Sequence, residues 1–175
     1  MVSSHRHIDA VRAVLDGIPD PELPCSIVEL GLVEDVRIDD DDRAHIVLLP
    51  TFSGCPALDM IQEDVQRKVA DLECITECTV QWIFEPAWTT DRISEDGRAS
   101  LARHGVTVPP PGEPMSGSTT TPLRTSAIPC PWCGSTNTRL DSPFGPTRCR
   151  TIQYCDDCRN TFEDMKRLAP GNEDG

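Results

Sequence analysis

At 175 residues, 38% hydrophobic and 5% aromatic, the chain has material for one ordinary domain with a modest core plus a small appendage. Acidic side chains outnumber basic ones 29 to 16, for a net charge of −13. Such a surface repels phosphate backbones and excludes nucleic acid as a partner of the whole chain. Most of the excess lies outside residues 129–169, which hold six basic and five acidic side chains. No apolar stretch reaches membrane length, and MVSSHRHIDA lacks the apolar segment of an export signal. The expectation is a cytoplasmic chain without a membrane partner, whose nine cysteines serve as metal ligands or free thiols.

In chain order, Ile8, Val11, Val14, Leu15 and Ile18 recur at helical spacing over residues 5–18, and Gly17 and Pro19 stop the helix. Asp20 to Pro24 (DPELP) is a turn. SIVELGLVEDVRID reads as extended structure interrupted at Gly31, leading to the acidic turn Asp39–Asp42. Ala44–Thr51 (AHIVLLPT) reads as a central strand covered on both sides, and these two extended segments make a hairpin. Pro56 opens a helix whose apolar stripe is Leu58, Ile61, Val65 and Val69, with Asp59 in its first turn. Thr79–Phe84 (TVQWIF) supplies a third strand, and TTDRISEDGRASLARHG a further helix with a Thr/Asp cap and Gly105 as its stop. The predicted fold is α+β: a small helix-strand-strand-helix-strand domain followed by a helix, together residues 1–108. A Pro/Ser/Thr-rich flexible linker then covers 109–128, and a compact metal-binding unit covers 129–169.

That last unit carries the strongest chemical signal. Cys130 and Cys133 (CPWCG) and Cys155 and Cys158 (YCDDC) form two Cys-x-x-Cys pairs with 21 residues between them. Each pair suits a knuckle that turns two thiolates towards one metal, and Gly134 gives the first knuckle its backbone freedom. The spacing predicts a zinc ribbon with a structural zinc ion. Iron in the same cage, as in a rubredoxin-like carrier, is the alternative. A unit this small draws much of its folding energy from the metal.

Cys55 precedes Pro56 and is expected at the N-cap of the following helix, where free amides and the helix dipole lower a thiol's pKa. A packed thiol at a strand–helix junction is the plain alternative. Asp20 and Glu22 lie beside special backbone, Asp20 as a turn-former. Glu29 is either an outward-facing strand residue or a buried acid paired near Cys55. Cys25, Cys74 and Cys78 read as free structural thiols, and Cys149 as a residue packed beneath the ribbon. No catalytic constellation, phosphate loop or dinucleotide motif is present.

DPELPCSIVELGLVEDV, LLPTFSGCPA and FEPAWTTDRISEDGRASLARHGVTVPP, followed by the ribbon, resemble the D subunit of the bacterial phenylacetyl-CoA epoxidase (phenylacetate-CoA oxygenase) system, also called the J subunit. The N-terminal part is similar to domains of iron–sulfur cluster assembly proteins. The resemblance implies a non-catalytic accessory subunit in phenylacetate catabolism that matures or maintains an iron or iron–sulfur centre. Its implied partners are the oxygenase and reductase subunits, and a homodimer stays open. The working thiol of the assembly motif falls on Cys55, which would hold iron or a cluster transiently, and the motif's DPE on Asp20, Pro21 and Glu22. Cys25 departs from the aliphatic residue expected there, and near Cys55 it would be a second soft ligand. Cys149 has a counterpart in the family's ribbon. A scaffolding subunit with Cys55 merely packed is a further alternative.

Overall fold

The computed structural model describes residues 2–52, 54–112 and 127–166. They form two compact units that divide between Trp88 and Thr89.

In the first unit, α1 (Val2–Asp16) buries Val11 and Leu15 one helical turn apart. Its end tightens as Gly17 and Ile18 donate to the carbonyls of Val14 and Leu15. The DPELP turn is held by Asp20, whose Oδ1 accepts the amides of Glu22 and Leu23 at 2.8 Å each. SIVEL is then not the start of a strand. Ser26 Oγ accepts the Glu29 amide at 3.0 Å, while Glu29 Oε2 accepts the Ser26 amide at 2.7 Å. This reciprocal pair is a capping box on a single helical turn, closed by the Leu30 amide on the Ser26 carbonyl. Gly31, with φ of +68°, ends that turn, and the strand begins only at Val33.

Strands β1 (Val33–Ile38) and β2 (Arg43–Leu48) pair antiparallel, joined by the Asp39–Asp42 turn. Helix α2 (Ala57–Ala70) then returns the chain so that β3 (Glu77–Trp82) runs parallel to β2. The order β1-β2-β3 places β2 in the centre, but its covering is one-sided. Ala44, Ile46 and Leu48 are buried, while Arg43 and His45 face outwards. The cause is layer count: α1 packs on β1, and α2 on β3 and α1, which makes one helical layer. The buried stripe of α2 is Ala57, Ile61, Val65 and Val69, with Ala57 where Leu58 was expected. Trp88 closes the unit, buried and donating from Nε1 to the Leu30 carbonyl at 2.9 Å.

The second unit begins with a 3-10 turn at Thr90–Arg92. Helix α3 (Glu95–Arg103) follows, capped by Ser94, whose hydroxyl accepts the Gly97 amide, rather than by the earlier Thr/Asp. Gly105, at φ +78°, stops it. The short strand β4 (Val106–Thr107) joins β5 (Thr138–Ser142), β6 (Arg150–Cys155) and β7 (Thr161–Met165) in the order β4-β7-β6-β5. Pairing of β4 with β7 is what moves the division from the expected 108 back to 88. Ile128, at the end of the expected linker, is buried in the ribbon core with Phe162. Residues 113–126 of that linker and the end of the expected 129–169 unit lie outside the described residues.

Replacing Ser26 by Ala should lower stability by about 1 kcal/mol, the usual value of a lost cap. Urea unfolding of the two proteins side by side measures it.

Candidate metal centre and the Cys55 loop

The four ribbon thiols converge. The Sγ atoms of Cys130, Cys133, Cys155 and Cys158 all lie within 4.8 Å of one another. Sulfurs at ~2.3 Å from a zinc ion at tetrahedral corners would stand ~3.8 Å apart. The Cys130–Cys158 and Cys133–Cys155 pairs are each at 3.6 Å, so the cage fits a tetrahedral thiolate-bound metal. Both close pairs run between knuckles, which means the site requires both to be in place. Cys130 and Cys155 are buried, Cys158 half-buried and Cys133 exposed.

The two knuckles are copies of one backbone device. In the first, the Gly134 amide donates to the Cys130 carbonyl at 2.8 Å and the Cys130 amide to the Ser135 carbonyl at 2.9 Å. In the second, Arg159 donates to Cys155 at 2.9 Å and Cys155 to Asn160 at 3.0 Å. The fourth residue after the first cysteine takes a left-handed conformation in each: Gly134 at φ +74° and Arg159 at φ +60°. Sequence reading found Gly134 but had no signal for Arg159, whose side chain disguises a glycine-like position. Amides two residues beyond each second cysteine reach sulfur, Ser135 to Cys133 and Asn160 to Cys158. The Asn160 amide lowers the Cys158 thiol towards the thiolate a metal needs, while, against the Ser135 amide, desolvation and the neighbouring thiols hold Cys133 up. Asp157 ties the knuckles together, accepting from the Ser135 hydroxyl and, at 2.8 Å, from Asn137 Nδ2. Those donors hold its carboxyl below the usual range.

Cys149 stands apart from the four. It is buried, with Thr147 Oγ1 at 3.0 Å from its sulfur.

Cys55 sits on the connection from β2 to α2, half-buried. Its amide donates to the Phe52 carbonyl at 3.2 Å. Helix α2 starts at Ala57 with Pro56 as its N-cap, so Cys55 is one residue before the position expected for it. Proline takes the cap because it lacks the amide that the first turn cannot satisfy and its φ of −68° is already helical. A Cβ on Gly54 would stand 3.0 Å from the Phe52 ring, so glycine lets that ring lie against the loop. Because β2 and β3 are parallel, the loop with Cys55 and the exposed Phe84 beyond β3 leave the same end of the sheet.

Asp20 and Glu29 are spent on the turn and the capping box, and Glu22 supplies a backbone amide to that turn. Glu29 is therefore not the outward strand residue expected, since its carboxylate is engaged in the capping box with Ser26. Cys25 is buried, and burial first, then the charges of Asp20 and Glu29, push its thiol up to about 12. Among the described residues, the ribbon thiols form the one group of three or more ligand atoms close enough to share a metal.

Comparison with known proteins finds one match within each unit. Residues 8–82 match the model described as iron–sulfur cluster assembly protein, and residues 114–166 the PaaD zinc beta ribbon domain. The D subunit of the putative 1,2-phenylacetyl-CoA epoxidase of Escherichia coli (strain K12) is 34% identical over 91% of this chain and 92% of its own length. The Fe-S protein maturation auxiliary factor YitW of Bacillus subtilis (strain 168) is 36% identical over 52% of this chain and 89% of its own. A domain of unknown function from Bacillus anthracis, solved by crystallography, covers 57% of this chain and 95% of that one at 33% identity and a TM-score of 0.54.

A Cβ at Gly134 would meet nothing within 4 Å, so Gly134→Ala should cost only backbone strain, about 1 kcal/mol. Arg159→Gly should leave the metal-loaded protein equally or more stable, and thermal unfolding of both variants tests the pair. The raised Cys25 pKa gives a second expectation. Its stabilising effect is full below about pH 9 and is lost as pH rises towards 12. Cys25→Ala should therefore flatten the decline of stability over that alkaline range, as read by denaturant unfolding at successive pH values.

Proposed function

The chain belongs to the family of 1,2-phenylacetyl-CoA epoxidase D subunits, and we propose that it is a non-catalytic maturation component of such an epoxidase. In this reading its cargo is iron or an iron–sulfur cluster, delivered to a centre of the oxygenase or its reductase during phenylacetate catabolism in the cytoplasm. The observation that carries the reading is the accessible Cys55 on the β2–α2 connection of an assembly-type unit, apart from the four-thiolate cage. The four cage thiols are committed to one another, and Cys55 is not among them.

The chemistry follows from the donors. The cage supplies four thiolates and no open position, the arrangement of a structural zinc site. When bound, the ion neutralises sulfur charge and ties the knuckles together. Cys55 supplies one thiolate to the cargo, and the client takes over coordination as it docks. Cys25 stays protonated and outside that exchange. Relatives named as Fe-S protein maturation auxiliary factors support the assembly role, and the likeness to the Escherichia coli chain over most of both lengths supports the epoxidase as client.

Cys55→Ser, co-produced with the oxygenase and reductase subunits, should leave the fold and the zinc content of this chain unchanged. Iron in the purified client should fall several-fold. Full client iron beside the variant would sink the assignment of Cys55. Metal analysis of the isolated wild-type chain decides the cage: colourless protein with bound zinc supports the structural reading. A thiolate-to-iron absorption band would instead favour a rubredoxin-like carrier.

A further inference from the structure

The matched zinc-ribbon region begins at residue 114, yet the metal-bearing knuckle leans on a residue that precedes it. Trp132 lies between the ligands Cys130 and Cys133. Its Nε1 donates to the Thr161 carbonyl at 3.1 Å, at the start of β7 and just past the second knuckle. Its six-membered ring lies over Gly105, at the junction of α3 and β4. A Cβ on Gly105 would stand 2.3 Å from Trp132 Cζ2 and 2.9 Å from Cη2, closer than any real contact. Only glycine fits, both for that approach and for the φ of +78°.

Gly105 is itself anchored to the ribbon. Its carbonyl accepts the Glu163 amide at 2.8 Å, and β4 continues the contact by pairing with β7. Thr107 Oγ1 donates to Asp164 Oδ1 at 2.7 Å, and Asp164 is buried. The indole therefore touches three separate pieces of chain: its own knuckle, the residue after the other knuckle, and the α3–β4 junction. Opening the cage by lifting Cys130 and Cys133 away would drag the indole off Gly105 and break its bond to Thr161.

We propose that the α3–β4 segment is a working part of the metal centre, with Gly105 seating Trp132 so that the first knuckle stays closed on its metal. Trp132 and Gly105 are positioning residues: neither touches the ion, and each sets how slowly it leaves. The proposal rests on a metal in the four-cysteine cage and is independent of any cargo at Cys55.

The test is a double-mutant cycle on the zinc-loaded full-length chain, reading the rate of zinc transfer to a chromogenic chelator. Trp132→Ala should speed release on the order of tenfold, as loss of a supporting group around a metal typically does. Gly105→Ala should speed it similarly. In the Trp132→Ala background the added Gly105→Ala change should alter the rate by less than about twofold, because the indole it displaces is gone. Independent, multiplying effects would show that Gly105 acts through its own backbone strain and overturn the seating role. Should Gly105→Ala fail to fold, Trp132→Ala decides alone, since wild-type release from that variant overturns the proposal. A wild-type chain that retains no zinc or other metal overturns the metal reading and this inference together, whereas a failed cycle on a zinc-bearing protein overturns only the inference.

Discussion

Four thiolates within 4.8 Å of one another repel, and the second unit depends on how that repulsion is relieved. Around the cage itself the apolar cluster is small. Ile128 and Phe162 pack with Cys130 and Cys155, so half of that cluster is made of the ligands themselves. A cluster of this size cannot by itself hold the two knuckles closed against chain entropy. A metal cation held by the four would turn that repulsion into attraction and tie Cys130 to Cys158 and Cys133 to Cys155 across the two knuckles. The strands then need only carry the knuckles. β6 ends at Cys155, and the second knuckle leads into β7. Arg150 and Glu163 add an ion pair at 2.6 Å between these strands, with the Arg150 side chain buried.

The first unit answers charge differently. Its excess of carboxylates is absorbed locally, most clearly at the β1–β2 turn. Asp39 accepts the amides of Asp41 and Arg43, and its Oδ2 takes the Arg43 guanidinium at 2.9 Å and His45 at 3.3 Å. The Arg43 amide leads these donors in holding the Asp39 carboxyl well below its usual range. The acids there are turn chemistry and solvated surface, not a ligand set.

Legibility tracked the reach of each signal. Helices α1 and α2 and the three strands of the first unit were readable because apolar periodicity is set by the residues themselves. The ribbon was readable because ligand geometry constrains spacing. Failures came where two signals coincide in one stretch. SIVELGLV is rich in residues that favour strands, yet Ser26 and Glu29 stand three apart and bind each other's amides, so a helical turn wins. AHIVLL looks apolar on both faces, but only the second helical layer that a two-sided strand needs would have made it so, and the described residues of the unit supply one. Strand β4 has two residues and exists only because β7 is beside it. Such an element leaves no trace in sequence, and neither does the glycine-like role of Arg159.

The thiols show how one residue type is divided among tasks by its surroundings. Burial raises the buried Cys25 to about 12 and the half-buried Cys78 to about 11, which keeps both as unreactive thiols. The Asn160 amide aimed at sulfur lowers Cys158, and it is the convergence of four thiols that makes that side chain a ligand. Cys55 belongs to neither group. It stands half-buried before a proline-capped helix, outside any cluster of donors among the described residues. A thiol on a loop between rigid elements can change partners without disturbing the fold, which is what the proposed cargo exchange would require.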